Sequence, residues 1–391
     1  MKFVLIEKVL VQGLQFLQGI LLARMLCPED FGLTAILGIF LGIGACLAES
    51  GLGTAYVVYG GDTRRYWRWN VGAAVVVYLV LSCAAPWIAA WYGKPILREL
   101  CWGMGGGLIL NAASVVGMAR LQREEKFATI STLNVLATCF AFAVGVLMAW
   151  QGFGTWSIVG VGLTYAVVRL VGVMGERVMG EKGRESREEK VGGTGEDFGM
   201  VLKYGWKLMA SGLVHVVYIE SYNLILGKLQ SPSVVGLFVR GRRWAQLPGD
   251  VVNDSVGRVA LPKMVGEQGE RANGGWVGIN CLLLYPGLVV LWIWAEAIVE
   301  LVLGPQWLDC VPYLRILLIG QFFTPFSNIA LQKIRARGRS DLILVTDAWK
   351  KPIGLVAMLV GLPFGVIGLC WAKVVDDIVE AVVDWWVERR G

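Results

Sequence analysis

Five ionisable residues lie on one face of a single apolar segment, and their types suit the binding of a phosphate group. They fall between about residues 234 and 261 and are Arg240, Arg243, Asp250, Asp254 and Arg258. On a helix, at about 100° per residue, they share a stripe of roughly 80°. Arginine can contact two phosphate oxygens at once, so Arg240 and Arg243 are the first diphosphate candidates, followed by Arg258. Alternatively, the charges pair with one another and only allow the segment to enter a membrane.

The preceding apolar segment carries a second polar stripe at four-residue steps, formed by Lys203, Lys207, Ser211 and His215. Lys207 is a candidate for attracting a diphosphate, although a lysine near a helix end also snorkels to the interface. His215 is the only histidine, which argues against a multi-histidine metal site and leaves a proton-coupled switch or a hydrogen-bonded packing role. Glu220 and the two aspartates of the first stripe are candidates for a coupling ion or proton.

These charges matter because the chain has the composition of a membrane protein. Apolar residues make up 56% of it and charged residues 17%, and the mean hydropathy is +0.60. About twelve apolar runs are long enough to cross a bilayer as helices, which predicts an all-α polytopic protein. The runs are approximately Val9–Leu26, Phe31–Leu47, Val71–Trp91, Leu100–Met118, Ile130–Trp150, Trp156–Met174, Trp206–Leu226, Val234–Leu261, Trp276–Leu303, Val311–Leu331, Leu342–Leu362 and Gly365–Trp386. No small-residue cleavage site follows the first run, so it is expected to be retained.

The positive charges predict the topology. If the N-terminus is cytoplasmic, most basic residues of the connecting segments fall on the cytoplasmic side of the membrane. Only Arg24, Lys94, Arg98 and Lys228 fall on the outer side. Both termini are therefore predicted to be cytoplasmic. The net charge of +6 is scattered over loops, so it does not indicate a nucleic-acid partner.

Two short motifs indicate an internal duplication. LLARMLCPEDFGL and ILGKLQSPSVVGL repeat a basic residue, a proline and a glycine at the same spacing. The corresponding residues are Arg24, Pro28 and Gly32 in the first motif and Lys228, Pro232 and Gly236 in the second. The repeat predicts two parallel six-helix lobes, residues 1–174 and 200–391, joined by a polar cytoplasmic linker, residues 175–199. The motifs are expected to shape the outer corners of the lobes, with contact to an exported phosphate as the alternative.

The residues do not suggest an enzyme or a cofactor site. The eight cysteines show no CxxC spacing, and GMGGGL at Gly103 lacks the lysine and hydroxyl residue of a nucleotide-binding loop. No nucleophile, base and orienting residue form a recognisable catalytic set. We expect neither metal nor cofactor.

Several segments, in order, resemble the polysaccharide and O-antigen flippases of the multidrug/oligosaccharidyl-lipid/polysaccharide exporter superfamily. They are the two repeat motifs, APWIAAWYG, LQREEKF, YGWKLMASGL, RGRRWAQLP and AEAIVELVLGPQWLDCVPYLRILL. The resemblance implies a bacterial inner-membrane protein that moves an undecaprenyl-diphosphate oligosaccharide to the outer leaflet. It implies contact with membrane lipids and with polysaccharide polymerase or assembly proteins. Members usually have fourteen spans, so a truncated, non-transporting member is one alternative.

The favoured mechanism is alternating access, in which two lobes rock about a central cationic cleft. One rival is an ion-coupled small-molecule exporter of the same superfamily, which would need fewer phosphate-binding cations. A membrane-embedded glycan polymerase or glycosyltransferase is disfavoured because the outer loops are very short.

Overall fold

The computed structural model describes residues 2–49, 52–181, 198–264, 273–337 and 339–390. Within these ranges the chain is almost entirely helical and contains no strand. The helices are α1 (Lys2–Met25), α2 (Pro28–Glu49), α3 (Leu52–Tyr59), α4 (Thr63–Tyr92), α5 (Ile96–Arg123), α6 (Phe127–Trp150), α7 (Trp156–Glu181), α8 (Phe198–Leu229), α9 (Pro232–Met264), α10 (Asn273–Ile293), α11 (Ala295–Val302), α12 (Val311–Gln321), α13 (Thr324–Ala336), α14 (Ser340–Gly361) and α15 (Gly365–Arg390).

The predicted apolar runs correspond to these helices in order. The run 276–303 is divided between α10 and α11, and the run 311–331 is divided between α12 and α13. The chain bends by 41° between segments 305–321 and 324–336. Among the described residues, seven helices are long and apolar enough to cross a membrane, or eight if the bent pair is one span. The prediction of an all-α polytopic protein is confirmed, and the count of twelve spans stays a prediction.

Proline, aspartate and glycine set the helix boundaries. Pro28 and Pro232 are the first residues of α2 and α9, where a missing backbone N–H costs nothing. Asp30 accepts a hydrogen bond from the backbone N–H of Cys27 at 3.0 Å, which caps the first turn of α2. Asp62 caps α4, and Gly93 ends it in the left-handed conformation at φ 65°.

The chain forms two compact units, residues 1–232 and 233–391. In the first unit, α5 packs against α4 and α7, while α6 packs against α1 and α7. In the second unit, α15 packs against α12, α13 and α14. The predicted linker falls mainly on residues 182–197, which lie outside the described residues; α7 extends to Glu181 and α8 begins at Phe198. The division into two six-helix lobes stays a prediction.

Helix α8 lies along α2 within the first unit, and glycines line the contact, which we call the α2–α8 seam. A Cβ atom at Gly227 would lie 2.7 Å from Cγ1 of Ile36, and one at Gly42 would lie 2.8 Å from Cγ1 of Val216. At one end of the seam, Gly32 meets the backbone carbonyl of Pro232, the first residue of α9, with no room for a methyl group. Small residues allow helix backbones to approach closely in a membrane, where packing rather than water exclusion drives association.

Replacing Gly32 with alanine is therefore expected to destabilise the protein by about 1–3 kcal/mol, because the new methyl group forces the seam apart. Gly72→Ala is the matched control, since a Cβ at this glycine of α4 meets nothing within 4 Å. The measurement is thermal unfolding in detergent, followed by tryptophan fluorescence. Equal midpoints for the two variants would contradict the role of the seam.

Candidate functional site

Helix α9 presents an exposed ion pair from the predicted stripe. The Nη1 atom of Arg243 lies 3.0 Å from Oδ2 of Asp250, and their side chains are 60% and 56% exposed. The seven-residue separation is about two helical turns, so both side chains leave α9 on the same side. Asp254, one turn further, is also exposed. This side of α9 therefore presents three of the predicted charged residues at an exposed surface.

Arg240 has a different environment from Arg243. Its guanidinium carbon lies 5.5 Å from the ring centre of Trp307, a fully buried residue in the 3₁₀ turn Pro305–Cys310. A guanidinium over an aromatic face is stabilised by the ring quadrupole. Arg240 is therefore partly held by the protein, whereas Arg243 is open to an incoming group.

Three other candidates can be placed only on their helices. Arg258 lies on α9, and Lys207 and His215 lie on α8. Their side chains are outside the described part of the structure, so their roles stay predictions.

Glu220 lies beside the α2–α8 seam. Its Oε2 atom accepts a hydrogen bond of 2.6 Å from Nδ2 of Asn223. A Cβ atom at Gly38 of α2 would lie 3.5 Å from the same oxygen. A carboxylate is thus placed where two helices of the first unit meet.

The repeat residues lie at the ends of their helices. The Nζ atom of Lys228 donates to the carbonyl of Trp91 at 2.7 Å and lies 4.5 Å from the centre of the Trp91 ring. Gly236 is buried in the second unit, and Arg24 is exposed. Lys228 therefore has a helix-fastening contact, and a role for either basic residue in phosphate binding is untested.

Sequence reasoning missed a buried ladder of charges in the second unit. Its acidic members all lie on α15, and its basic members come from α13, from the residue that follows α13, from α14 and from α15 itself. We call this set the α15 ladder: Asp376, Asp377, Glu380, Asp384 and Glu388 with Lys333, Arg337, Lys350 and Lys373. The signal was present in DDIVEAVVDWWVE, where acidic residues recur at helical spacing.

The contacts in the ladder are short. Lys350 lies 2.9 Å from Asp384, and these side chains are 7% and 0% exposed. The hydroxyl of Ser327 also donates to Asp384. Lys373 lies 2.7 Å from both Asp376 and Asp377. Each of these three aspartates therefore has a cation within reach, as burial requires.

An amide network lies on another side of α9 within the second unit. Asn253 donates to the hydroxyl of Thr324 at 3.1 Å and accepts from the side chain of Asn280 at 2.9 Å. Asn328 donates to the backbone carbonyl of Asn253 at 3.0 Å. These hydrogen bonds join α9 to α10 and α13. They therefore fix the position of the helix that carries the candidate site.

Removing one member of the Lys350–Asp384 pair should be costly, because the other charge would stay buried without its partner. Lys350→Met is expected to destabilise the protein by about 3–5 kcal/mol. The double variant Lys350→Met with Asp384→Leu should recover most of that loss, since no charge is left unpaired. Thermal unfolding in detergent measures both, and an additive loss in the double variant would contradict this account of the pair.

Comparison with known proteins identifies the family. A family profile described as polysaccharide biosynthesis protein matches residues 21–312. The chain belongs to this family. One relative is the succinoglycan biosynthesis transport protein ExoT of Rhizobium meliloti, which is 24% identical over 96% of this chain and 77% of the relative. The lipopolysaccharide biosynthesis protein WzxC of Escherichia coli is 21% identical over 99% of this chain and 79% of the relative.

Solved structures show the same fold. The lipid II flippase MurJ in an inward closed conformation aligns with a TM-score of 0.77 at 12% identity, over 97% of this chain and 86% of that one. A multidrug resistance transporter of the MATE family in an inward-facing conformation gives 0.70 at 15% identity, over 96% and 93%. The predicted resemblance to the polysaccharide flippases is confirmed. The chain is a multi-pass transport protein of the bacterial inner membrane, of the flippase and exporter class, and not an enzyme.

Proposed function

We propose that this protein moves a polyprenyl-diphosphate-linked oligosaccharide from the cytoplasmic to the outer leaflet by alternating access. The exposed Arg243–Asp250 pair carries the proposal. The sequence predicts that α9 spans the membrane, and an ion pair in the middle of a span is too costly to face hydrocarbon, so its exposed surface requires a water-filled cavity. Such a cavity with an arginine on its wall suits a headgroup that must cross the membrane while its lipid tail stays in the bilayer.

The chemistry of the pair explains how a diphosphate would bind and leave. Asp250 holds the Arg243 guanidinium in place when the cavity is empty. A diphosphate offers more oxygens to the same guanidinium and competes for it, so binding exchanges one anion for another. Because Asp250 stays within reach, the arginine is not left unpaired when the substrate departs. Arg240, stacked on Trp307, adds positive charge to the same helix.

The orientation with both termini in the cytoplasm is part of the proposal. Arg64, Arg120 and Lys126 come from separate parts of the chain and line one cavity of the first unit. Their clustering at one end of α4 and α5 supports placing that end in the cytoplasm.

Replacing Arg243 with alanine is expected to lower transport at least tenfold, because it removes a charged contact to the diphosphate. Arg243→Lys should keep part of the activity, since it keeps the charge and loses the planar fork. The assay is movement of a fluorescent polyprenyl-diphosphate saccharide across proteoliposomes, normalised to reconstituted protein.

Arg315→Ala is the matched control, because Arg315 also forms a surface-accessible ion pair in the second unit, 3.1 Å from Glu296. It should transport like the unmodified protein. Full transport by Arg243→Ala would remove this residue from the site. Movement of an amphipathic cation but of no polyprenyl-diphosphate saccharide would favour the small-molecule exporter instead.

We propose Glu220 as a coupling site, because cation or proton binding there would change the charge beside the α2–α8 seam. Glu220→Gln is then expected to transport at the same rate with and without an imposed ion or proton gradient. Glu296→Gln, an exposed carboxylate of α11, should keep the response of the unmodified protein. A full gradient response in Glu220→Gln would exclude this role.

A further inference from the structure

The first unit contains a cavity that the proposed transport site does not use. It has a volume of about 460 Å³ and lies between α4, α5 and α7. This size is within the usual range for ligand sites in proteins. Its walls are largely apolar and include Trp67, Gly117, Leu170 and Val173.

Polar and apolar residues are ordered in the same way on all three helices. On α5 the lining changes from Ala113 and Gly117 to Arg120, and the charged Glu124 follows the helix end. On α7 it changes from Leu170 and Val173 to Glu176, and on α4 it changes from Trp67 to Arg64. The cavity therefore has one charged end and one apolar end, about 16 Å apart along α5 at 1.5 Å per residue.

At the charged end of the cavity, the basic residues outnumber the carboxylates by one. Arg120 lies 2.8 Å from Glu124, and Lys126 lies 3.1 Å from Glu124 and 2.7 Å from Glu176. No ion pair of the Arg64 guanidinium is found among the described residues. With three cations against two carboxylates, the rim carries a net positive charge.

Glu124 and Lys126, in the turn between α5 and α6, are both charged at neutral pH. Burial raises the pKa of Glu124, but hydrogen bonds from Arg120 and Lys126 outweigh it and hold the value below the usual range. The hydrogen bond to Glu176 raises the pKa of Lys126. The net positive charge of the rim therefore persists at neutral pH.

We propose that this cavity binds one anionic phospholipid of the cytoplasmic leaflet. The phosphate would lie at Arg64 and beside Arg120, and one acyl chain would follow the apolar wall along Gly117 and Val173. Basic pockets between helices on the cytoplasmic side suit such headgroups, and a phosphate can accept from an arginine in pairs. A free phosphate would satisfy the rim but leave the apolar end empty, so the shape of the cavity selects a lipid.

The test is native mass spectrometry of delipidated protein titrated with phosphatidylglycerol. The unmodified protein is expected to bind one phosphatidylglycerol in preference to phosphatidylcholine, and inorganic phosphate should not displace it. Arg64→Ala should weaken phosphatidylglycerol binding by about tenfold, the loss of one charge-assisted contact. Arg65→Ala is the control, because this neighbour is exposed on α4 but does not line the cavity.

A second variant tests the apolar end. Val173→Trp fills the cavity and should reduce phosphatidylglycerol binding while leaving the rim charges in place. Thermal unfolding checks that each variant is folded. Leu136→Trp is the control for added bulk, because this exposed residue of α6 does not line the cavity.

Three results would overturn the proposal. They are equal binding of the anionic and zwitterionic lipids, unchanged phosphatidylglycerol binding in Arg64→Ala, and tighter binding of a polyprenyl diphosphate at this cavity than of phosphatidylglycerol. The last result would make the cavity part of the transport route. Lipid binding is measured without transport, so the outcome does not depend on the function proposed for α9.

Discussion

The cost of placing charge inside an apolar helix bundle is the constraint on which the rest of this structure depends. Buried and half-buried charges in this chain are compensated by specific contacts. Lys350 is paired with Asp384, Arg240 stacks on Trp307, and Glu7 accepts hydrogen bonds from Ser131 and Asn134 on α6. The contacts of Arg240 and Glu7 join elements that are far apart in sequence, and the contact of Lys350 joins two consecutive helices, so the need to compensate charge also helps to fix which helices are neighbours.

The same constraint separates a structural ion pair from one that can serve transport. The Lys350–Asp384 pair is closed off from solvent and already satisfied by Ser327, so it has little capacity to receive another ligand. The Arg243–Asp250 pair has a similar distance but more than half of each side chain is exposed. Accessibility, rather than the presence of charge in a span, is therefore what makes α9 the candidate site in this transport protein.

Hydropathy and turn residues were sufficient to predict most of the fold. The apolar runs corresponded to helices because backbone groups in a bilayer must be satisfied within the segment, and Pro28 and Pro232 mark helix starts by their own chemistry. The α15 ladder was not predicted, because it depends on Lys350 of α14 reaching Asp384, a tertiary contact. The different environments of Arg240 and Arg243 could not be predicted either, because Arg240 contacts Trp307, a residue distant in sequence. Arg258, Lys207 and His215, whose side chains are outside the described part of the structure, stay predictions from the sequence.

Helix α8 is held near its C-terminal end by hydrogen bonds to α4. Lys228 donates to the carbonyl of Trp91, and the hydroxyl of Tyr92 donates to the carbonyl of Leu224 at 3.4 Å. Along the α2–α8 seam, Gly42 lies close to Val216 and Gly212 lies close to Cys46. Helix α8 therefore meets α4 through hydrogen bonds, which depend on direction, and meets α2 through close packing at glycines. The lysine of the second sequence motif thus anchors α8 to α4, and the glycines set how near α8 approaches α2.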